Sequence, residues 1–241
     1  MTTRATTVDA LALAAHRDDV EITSGGLLIK FADLGYQTGI IDFTAGEMGT
    51  RGTAEDREAE AEAAAKIMGL AYRENLNLPD AKLDNTLANR MAVAAIIRRL
   101  RPRLVVLPHW TQRHPDHRIA GEIAYGACFL AGLKKLDLDG EPHRPLKILY
   151  TAFLRQPPYS FLVDVSAQFD RKLAAVRAYT SQFGTAEGAR SIYEPGVDIF
   201  ELMTVEAQHL GRMIRKRHAE AYVVKEAIEI DDPLKMTVPS I

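Results

Sequence analysis

The chain has 241 residues, 47% of them hydrophobic and 26% charged, enough to bury one full core as a single α/β domain over residues 1–241. Thirty basic and 32 acidic side chains leave a net charge of −2, with both signs scattered, so neither nucleic acid nor an acidic membrane is expected as a partner. One cysteine, Cys128, excludes an internal disulfide and a thiolate metal cluster; with no apolar leader in Met1–Thr7 and no apolar run near the ~18 residues that span a bilayer, a soluble cytoplasmic protein is expected.

Val8–Ala15 reads as a buried strand that runs straight into His16-Arg17-Asp18-Asp19. Ser24-Gly25-Gly26 then opens a helical pattern through Leu27, Leu28, Phe31 and Leu34, closed by Gly35. Gly39–Phe43 reads as a second strand. A glycine-dotted loop, Ala45–Gly52, leads into Thr53-Ala54-Glu55-Asp56, where threonine can cap a helix running to about Gly69 and the acids favour its first turn. Tyr72–Leu78 is a third strand, Asn85–Leu100 a helix and Leu104–Leu107 a fourth strand. The basic run Arg98–Arg103 reads as a solvated helix terminus, and Cys128 as a core residue of an apolar helix.

This order predicts a doubly wound, mostly parallel sheet. In such sheets the first and fourth strands are commonly neighbours at the switch point, which puts His16 and His117 on one crevice. Beyond Gly140 the alternation weakens: Leu146–Phe153 and Phe161–Val165 read as strands, Gln168–Phe183 as a helix, residues 184–196 as a long loop and Val205–Ala219 as a final helix.

The second chemical run is His114-Pro115-Asp116-His117, which follows the fourth strand. Imidazole nitrogens and carboxylate oxygens suit a divalent ion such as zinc, and a catalytic zinc keeps three protein ligands and one open position. Two such runs past adjacent strands supply that set and leave carboxylates over for proton transfer. His109, His143, His209 and His218 read as structural. There is no G-x-G-x-x-G after the first strand and no G-x-x-x-x-G-K-[ST] anywhere, and Asp18, Asp19 and Glu21 stand where a pyrophosphate would need positive potential, so a dinucleotide is not expected.

His16-Arg17-Asp18-Asp19-Val20-Glu21 with Gly25-Gly26, and Arg113-His114-Pro115-Asp116-His117, resemble the two signature motifs of the LmbE-like (PIG-L-like) N-acetylglucosaminyl deacetylases. Resemblance to the bacillithiol branch, the N-acetylglucosaminyl-malate deacetylases, extends through Thr44–Thr53, Asn77-Leu78-Pro79-Asp80, Tyr179–Phe183 and Asp231–Leu234. Arg17 stands where most of the family has proline, a change expected to loosen the turn slightly.

The resemblance implies a Rossmann-like sheet flanked by helices, with additional C-terminal strands and helices. It implies one Zn²⁺ per chain, or another divalent ion such as Fe²⁺, on His16, Asp19 and His117, with Asp18 as general base. It implies that His114 stabilises or protonates the tetrahedral intermediate and that Asp116 orients His114. Arg57 and Arg144 resemble positions facing the sugar, and Tyr193 lies in the long loop where it can close over the ligand. The partner is then a small amino-sugar conjugate, and the assembly a homo-oligomer, a trimer or hexamer. For a malate aglycone, Arg17, Arg51, Arg113 and Arg144 are the cationic residues in or beside the motif loops. Other readings are deacetylation of another N-acetylglucosaminyl or thiol conjugate and a non-catalytic, metal-dependent sugar-binding module; the presence of Asp18 speaks for catalysis.

Overall fold

Residues 10–14, Ala-Leu-Ala-Leu-Ala, send leucines to one face of a strand and alanines to the other, and both faces are buried. The computed structural model describes residues 6–152, 157–184 and 197–238. In it this segment is β1 (Ala10–Ala14), the centre of a five-stranded parallel sheet with β2 (Thr38–Thr44), β3 (Tyr72–Leu78), β4 (Leu104–Pro108) and β5 (Lys147–Thr151), in the order β3-β2-β1-β4-β5. The chain steps outward from β1 to β3 and returns to place β4 beside β1, pairing Ala10 with Leu104 and Ala12 with Val106. The expected switch point is therefore present, and it opens at the strands' carboxyl ends.

Helices cover both faces. α3 (Leu87–Leu100) and α4 (Pro115–Ala131) pack on the face that carries Leu11, Leu13, Ile41 and Val105; α1 (Asp19–Asp33), α2 (Ala54–Met68) and α5 (Phe169–Arg177) pack on the face that carries Ala12, Ala14, Ile40 and Val106. The start of α2 follows from its capping box: Asp56 N donates to Thr53 Oγ1 at 3.1 Å and Thr53 N to the Asp56 carboxylate at 2.9 Å, and Gly69 closes it at φ 75°. Beyond β5 come β6 (Phe161–Asp164), α6 (Thr180–Phe183), α7 (Ile199–Met213) and β7 (Ala219–Tyr222), with β6 and β7 paired antiparallel. Among the described residues no helix is long and apolar enough to cross a membrane. Cys128 is buried, and burial pushes its thiol up to about 12.

Several sequence expectations are revised. The first helix starts at Asp19, not at Ser24; Ser24 (φ −136°, ψ 15°) is a kink inside it. Past the kink the helix restarts with its amides on a carboxylate from the far end of the chain: Gly26 N and Leu27 N each donate to Glu220 at 2.8 Å. Residue 26 has to be glycine, since a Cβ there would lie 2.7 Å from Glu220 Oε1 and 2.9 Å from Val165 Cβ. The helix expected over 168–183 breaks at Tyr179 (φ −80°, ψ 68°) into α5 and α6. The last helix begins at 199, capped by the Asp198 carboxylate accepting from Phe200 N at 2.7 Å, and the stretch after it turns back into β7 rather than continuing as helix. Arg98 is not solvated. It is 4% exposed, and its guanidinium donates to the carbonyls of Ala131, Leu133, Leu138 and Gly140, tying the end of α3 to the chain leaving α4.

Candidate metal centre and active site

The loop after β1 and the first turn of α4 meet at the switch point. His16 Nδ1 lies 3.2 Å from His117 Nε2, His117 Nε2 lies 3.2 Å from Asp19 Oδ1, and His16 Nδ1 lies 3.5 Å from Asp19 Oδ2. Ligand atoms held ~2.0–2.1 Å from a tetrahedral zinc stand about 3.3 Å from one another, and one ligand atom from each of the three residues lies within 4.8 Å of the others, so together they could hold one divalent ion. The surroundings prepare His16 as a ligand. Its Nε2 is 3.0 Å from Asp80 Oδ1, so the proton belongs on Nε2 and the Nδ1 lone pair faces the other two ligands. Burial alone would lower the His16 pKa, but the hydrogen bonds and charges of Asp19 and Asp80 outweigh it and raise the ring to about 11 without a cation present. Burial likewise disfavours the Asp19 carboxylate, yet His117 and His16 hold it well below the usual range.

Asp18 sits beside this set in a left-handed conformation, φ 96°. That conformation is costly for most side chains and least so for Asp and Asn. It turns the carboxylate away from capping α1 and toward Arg57, whose Nη2 donates to Asp18 Oδ2 at 3.1 Å and to the Arg17 carbonyl at 2.7 Å. Arg57 is itself buried against Gly46, where φ is +75° and a Cβ would collide with the guanidinium. Burial raises the Asp18 pKa to about 7; Arg57 opposes the rise and Asp19 adds to it. Arg17 is buried, and its guanidinium donates to the Ala54 carbonyl at 2.8 Å, pinning the motif to the start of α2.

His114 is the N-cap of α4, and its Nδ1 accepts from Asp116 N at 3.2 Å. Nε2 therefore carries the proton and is the free donor. Burial and the neighbouring His117 and His16 lower the His114 pKa, keeping the ring neutral. The Asp116 carboxylate does not orient His114: its Oδ2 accepts from Ala81 N at 2.8 Å and stands 3.6 Å from His16 Nε2, and only the Asp116 backbone touches His114. Asp80 has no role in the sequence reading, although it stands in one of the resembling stretches. It is buried, accepts from Met48 N at 3.0 Å and Ala81 N at 2.8 Å, and so grips His16 from a fixed point. Its one sequence signal is an acid just past the third strand, on the same crevice.

The remaining candidates separate. Arg144 is exposed, stacked over Phe129 with its guanidinium carbon 5.2 Å from the ring centroid, at the opposite end of α4 from His114 and His117, so it takes no part in this site. Tyr193 lies outside the described residues. His143 is held by the Pro102 carbonyl at 2.7 Å and His218 stacks on Phe169, both in structural settings. Below the ligand cluster, on the α1 face of the sheet, lies a cavity of about 380 Å³ with Asp19, His114 and His117 in its wall.

Known proteins resemble this chain in sequence and fold. The family model described as "PIG-L: GlcNAc-PI de-N-acetylase" matches residues 11–128, which include both runs. The diacetylchitobiose deacetylase of Thermococcus kodakarensis is 31% identical over 225 residues, covering 87% of this chain and 80% of the relative. Among solved structures, the conserved protein TT1542 from Thermus thermophilus is 38% identical with a TM-score of 0.85, covering 93% of this chain and 97% of its own. The N,N'-diacetylchitobiose deacetylase from Pyrococcus horikoshii, in complex with its inhibitor MPG, is 25% identical with a TM-score of 0.77, covering 89% of this chain and 82% of its own.

Proposed function

The chain belongs to the PIG-L family of GlcNAc-PI de-N-acetylases, and from that premise we propose that it is a divalent-metal amidase that removes acetate from an N-acetylglucosaminyl conjugate, with N-acetylglucosaminyl malate as substrate. The observation that carries the reading is the convergence of His16 Nδ1, Asp19 and His117 Nε2 on one point with the Asp18 carboxylate beside them. Zinc is the ion that best suits this donor set; in that position it supplies a polarised amide carbonyl and a water acidic enough to ionise near neutral pH.

Asp18, held near neutrality by burial and aimed by Arg57, accepts the proton of the attacking water. His114, neutral with Nε2–H free, donates to the oxyanion as the carbonyl becomes tetrahedral. The same Asp18, now protonated, returns its proton to the sugar nitrogen as the C–N bond breaks. His114 is thus the oxyanion donor and Asp18 serves as base and then acid. Arg57 acts through Asp18 rather than on the sugar. Asp80 and Asp116 keep His16 in its ligating orientation.

The malate aglycone calls for a cation near the sugar, and of the four arginines singled out for it, Arg113 lies beside His114 in the cavity wall. Arg17 is committed to Ala54, and Arg144 is remote. A second reading, a chitobiose-type substrate, is favoured by the two diacetylchitobiose deacetylases among the similar proteins. Acetate release by the zinc-loaded chain from the malate conjugate, diacetylchitobiose, the inositol conjugate and free N-acetylglucosamine decides between them. Malate recognition predicts at least about tenfold higher kcat/KM than the free sugar, the worth of one charge-assisted hydrogen bond. Release of acetate from none of them overturns the amidase reading. We further propose a homo-oligomer, supported by exposed apolar side chains at Ile228, Ile230, Leu234 and Met236 within residues 228–236.

A further inference from the structure

One face of α4 and one late segment of the chain stay uncovered, and their chemistries are complementary. Tyr125 (48% exposed) and Phe129 (57% exposed) are four residues apart, which puts them on one face of the helix. Trp110, half-exposed in the loop before α4, extends the row: its ring centre is 4.9 Å from Lys225 Nζ, which also lies 4.2 Å from the Tyr125 ring and 5.0 Å from the Tyr150 ring. Cations border the other end. Arg144 lies over Phe129, and the turn that follows α4 carries Lys134 and Lys135, both exposed and without an ion-pair partner among the described residues. Aromatic side chains and arginine concentrate at protein–protein contacts, so this row has the composition of an interface rather than of a solvated helix face.

The complementary segment starts at the row itself. Val223 and Tyr150 exchange two backbone bonds of 2.9 Å, Lys225 enters the three rings, and Glu226 reaches Lys147 at 3.8 Å, so the root of the tail is fixed against β5 and α4. Beyond the root, Ile228, Ile230, Leu234 and Met236 face solvent, Leu234 at 95%. Residues 226–232 carry four acids and no base. Among them Glu229 and Asp231 are exposed and have no partner among the described residues. Within one molecule the tail does not shield the row: Tyr125 and Phe129 on one side and Ile228 and Ile230 on the other all remain open to water.

We propose that the tail of one copy, residues 226–236, lies on the α4 aromatic row of a second copy, with Ile228 and Ile230 against Tyr125 and Phe129 and the Glu229 and Asp231 carboxylates toward Lys134, Lys135 and Arg144. This rests on the homo-oligomer reading above and names its surface. A second copy is the occupant because the basic aromatic row and its acidic apolar complement belong to the same chain, so every molecule supplies one of each. Apolar burial drives the contact and the charges set its register. Since it joins unlike surfaces, it closes as a reciprocal pair or as a ring.

The test is the mass of the full chain by light scattering after size-exclusion chromatography. The unsubstituted chain should run as a discrete oligomer. Phe129→Glu alters the row, Ile228→Asp with Ile230→Asp alters the tail, and each should give a monomer with an unchanged circular-dichroism spectrum, since all three side chains are exposed. Should Phe129→Glu not fold, ending the chain after Ala227 removes the tail alone and should give the same monomer. Charge reversal checks the pairing: Lys134→Glu with Lys135→Glu should weaken association by roughly tenfold or more, and so should Glu229→Lys with Asp231→Lys. All four changes in one chain restore the match and should recover most of that loss. An oligomer that none of these changes moves overturns this contact and leaves the homo-oligomer standing on another surface. A chain that is a monomer at every concentration overturns both. Dissociation by each reversal without recovery in the fourfold variant also overturns the pairing of row with tail.

Discussion

Asp18 and Asp19 are neighbours with opposite environments, and their substitutions should separate cleanly. Asp18→Asn fits the left-handed backbone and should keep the metal while losing roughly two to four orders of magnitude in turnover, the usual worth of a positioned base. Asp19→Asn removes a ligand charge and should show first as a loss of bound zinc by metal analysis. Arg57 lowers the Asp18 pKa, so Arg57→Ala should move the acid limb of the kcat/KM profile to higher pH: the base must be deprotonated to work, and without the cation it holds its proton longer. A limb unmoved or shifted downward would mean that Asp18 is not the group titrating. Asp80→Asn leaves the ligands in place but weakens the grip on His16 Nε2. Chelator competition should report a zinc affinity lower by about 10–100-fold, the usual worth of such an outer partner.

At the level of elements, what the sequence made legible was set by local forces and what it hid was set by distant ones. Tyr72–Leu78 and the Thr53–Gly69 helix are written in alternation, capping and a closing glycine, all within a few residues. That the two His/Asp runs meet was legible because both follow strands expected to be neighbours; the choice of His16, Asp19 and His117 within them came from the family resemblance. The true start of α1 was hidden, because what sustains the helix past Ser24 is Glu220, 194 residues from Gly26. Arg98 was misread for the same reason: four carbonyls from a later segment, not water, receive its guanidinium. Asp116 was mis-aimed because Ala81 and His16, its actual partners, come from other strand ends. Glu220 also carries Lys172, whose Nζ lies 2.6 Å from Oε1, and it accepts from Tyr222 Oη at 2.7 Å. Glu220→Gln should therefore leave a buried ammonium without its anion and cost about 3–5 kcal/mol, read as a lower midpoint in guanidinium unfolding. A change below about 1 kcal/mol, the scale of an exposed pair, would mean that the kinked α1 does not depend on this carboxylate.

Across the whole molecule, the three proposed ligands come from opposite sides of the sheet. Asp19 opens α1 on one face and His117 opens α4 on the other, while His16 ends the strand between them. An ion bound there would tie α1 to α4 across the edge of the sheet. At a thousandfold excess over its dissociation constant it should add about 4 kcal/mol to stability. For a chain of this length that corresponds to a Tm higher by roughly 8–16 °C, lost on chelation and absent in Asp19→Asn. Stripped of its ion, the same chain spends more time open and within reach of proteases. The geometry of three side chains thus ties the lifetime of the polypeptide to metal supply: in a zinc-starved cell its steady-state amount should fall along with its activity, and replenishing the metal would restore the activity only as fast as new chains are made.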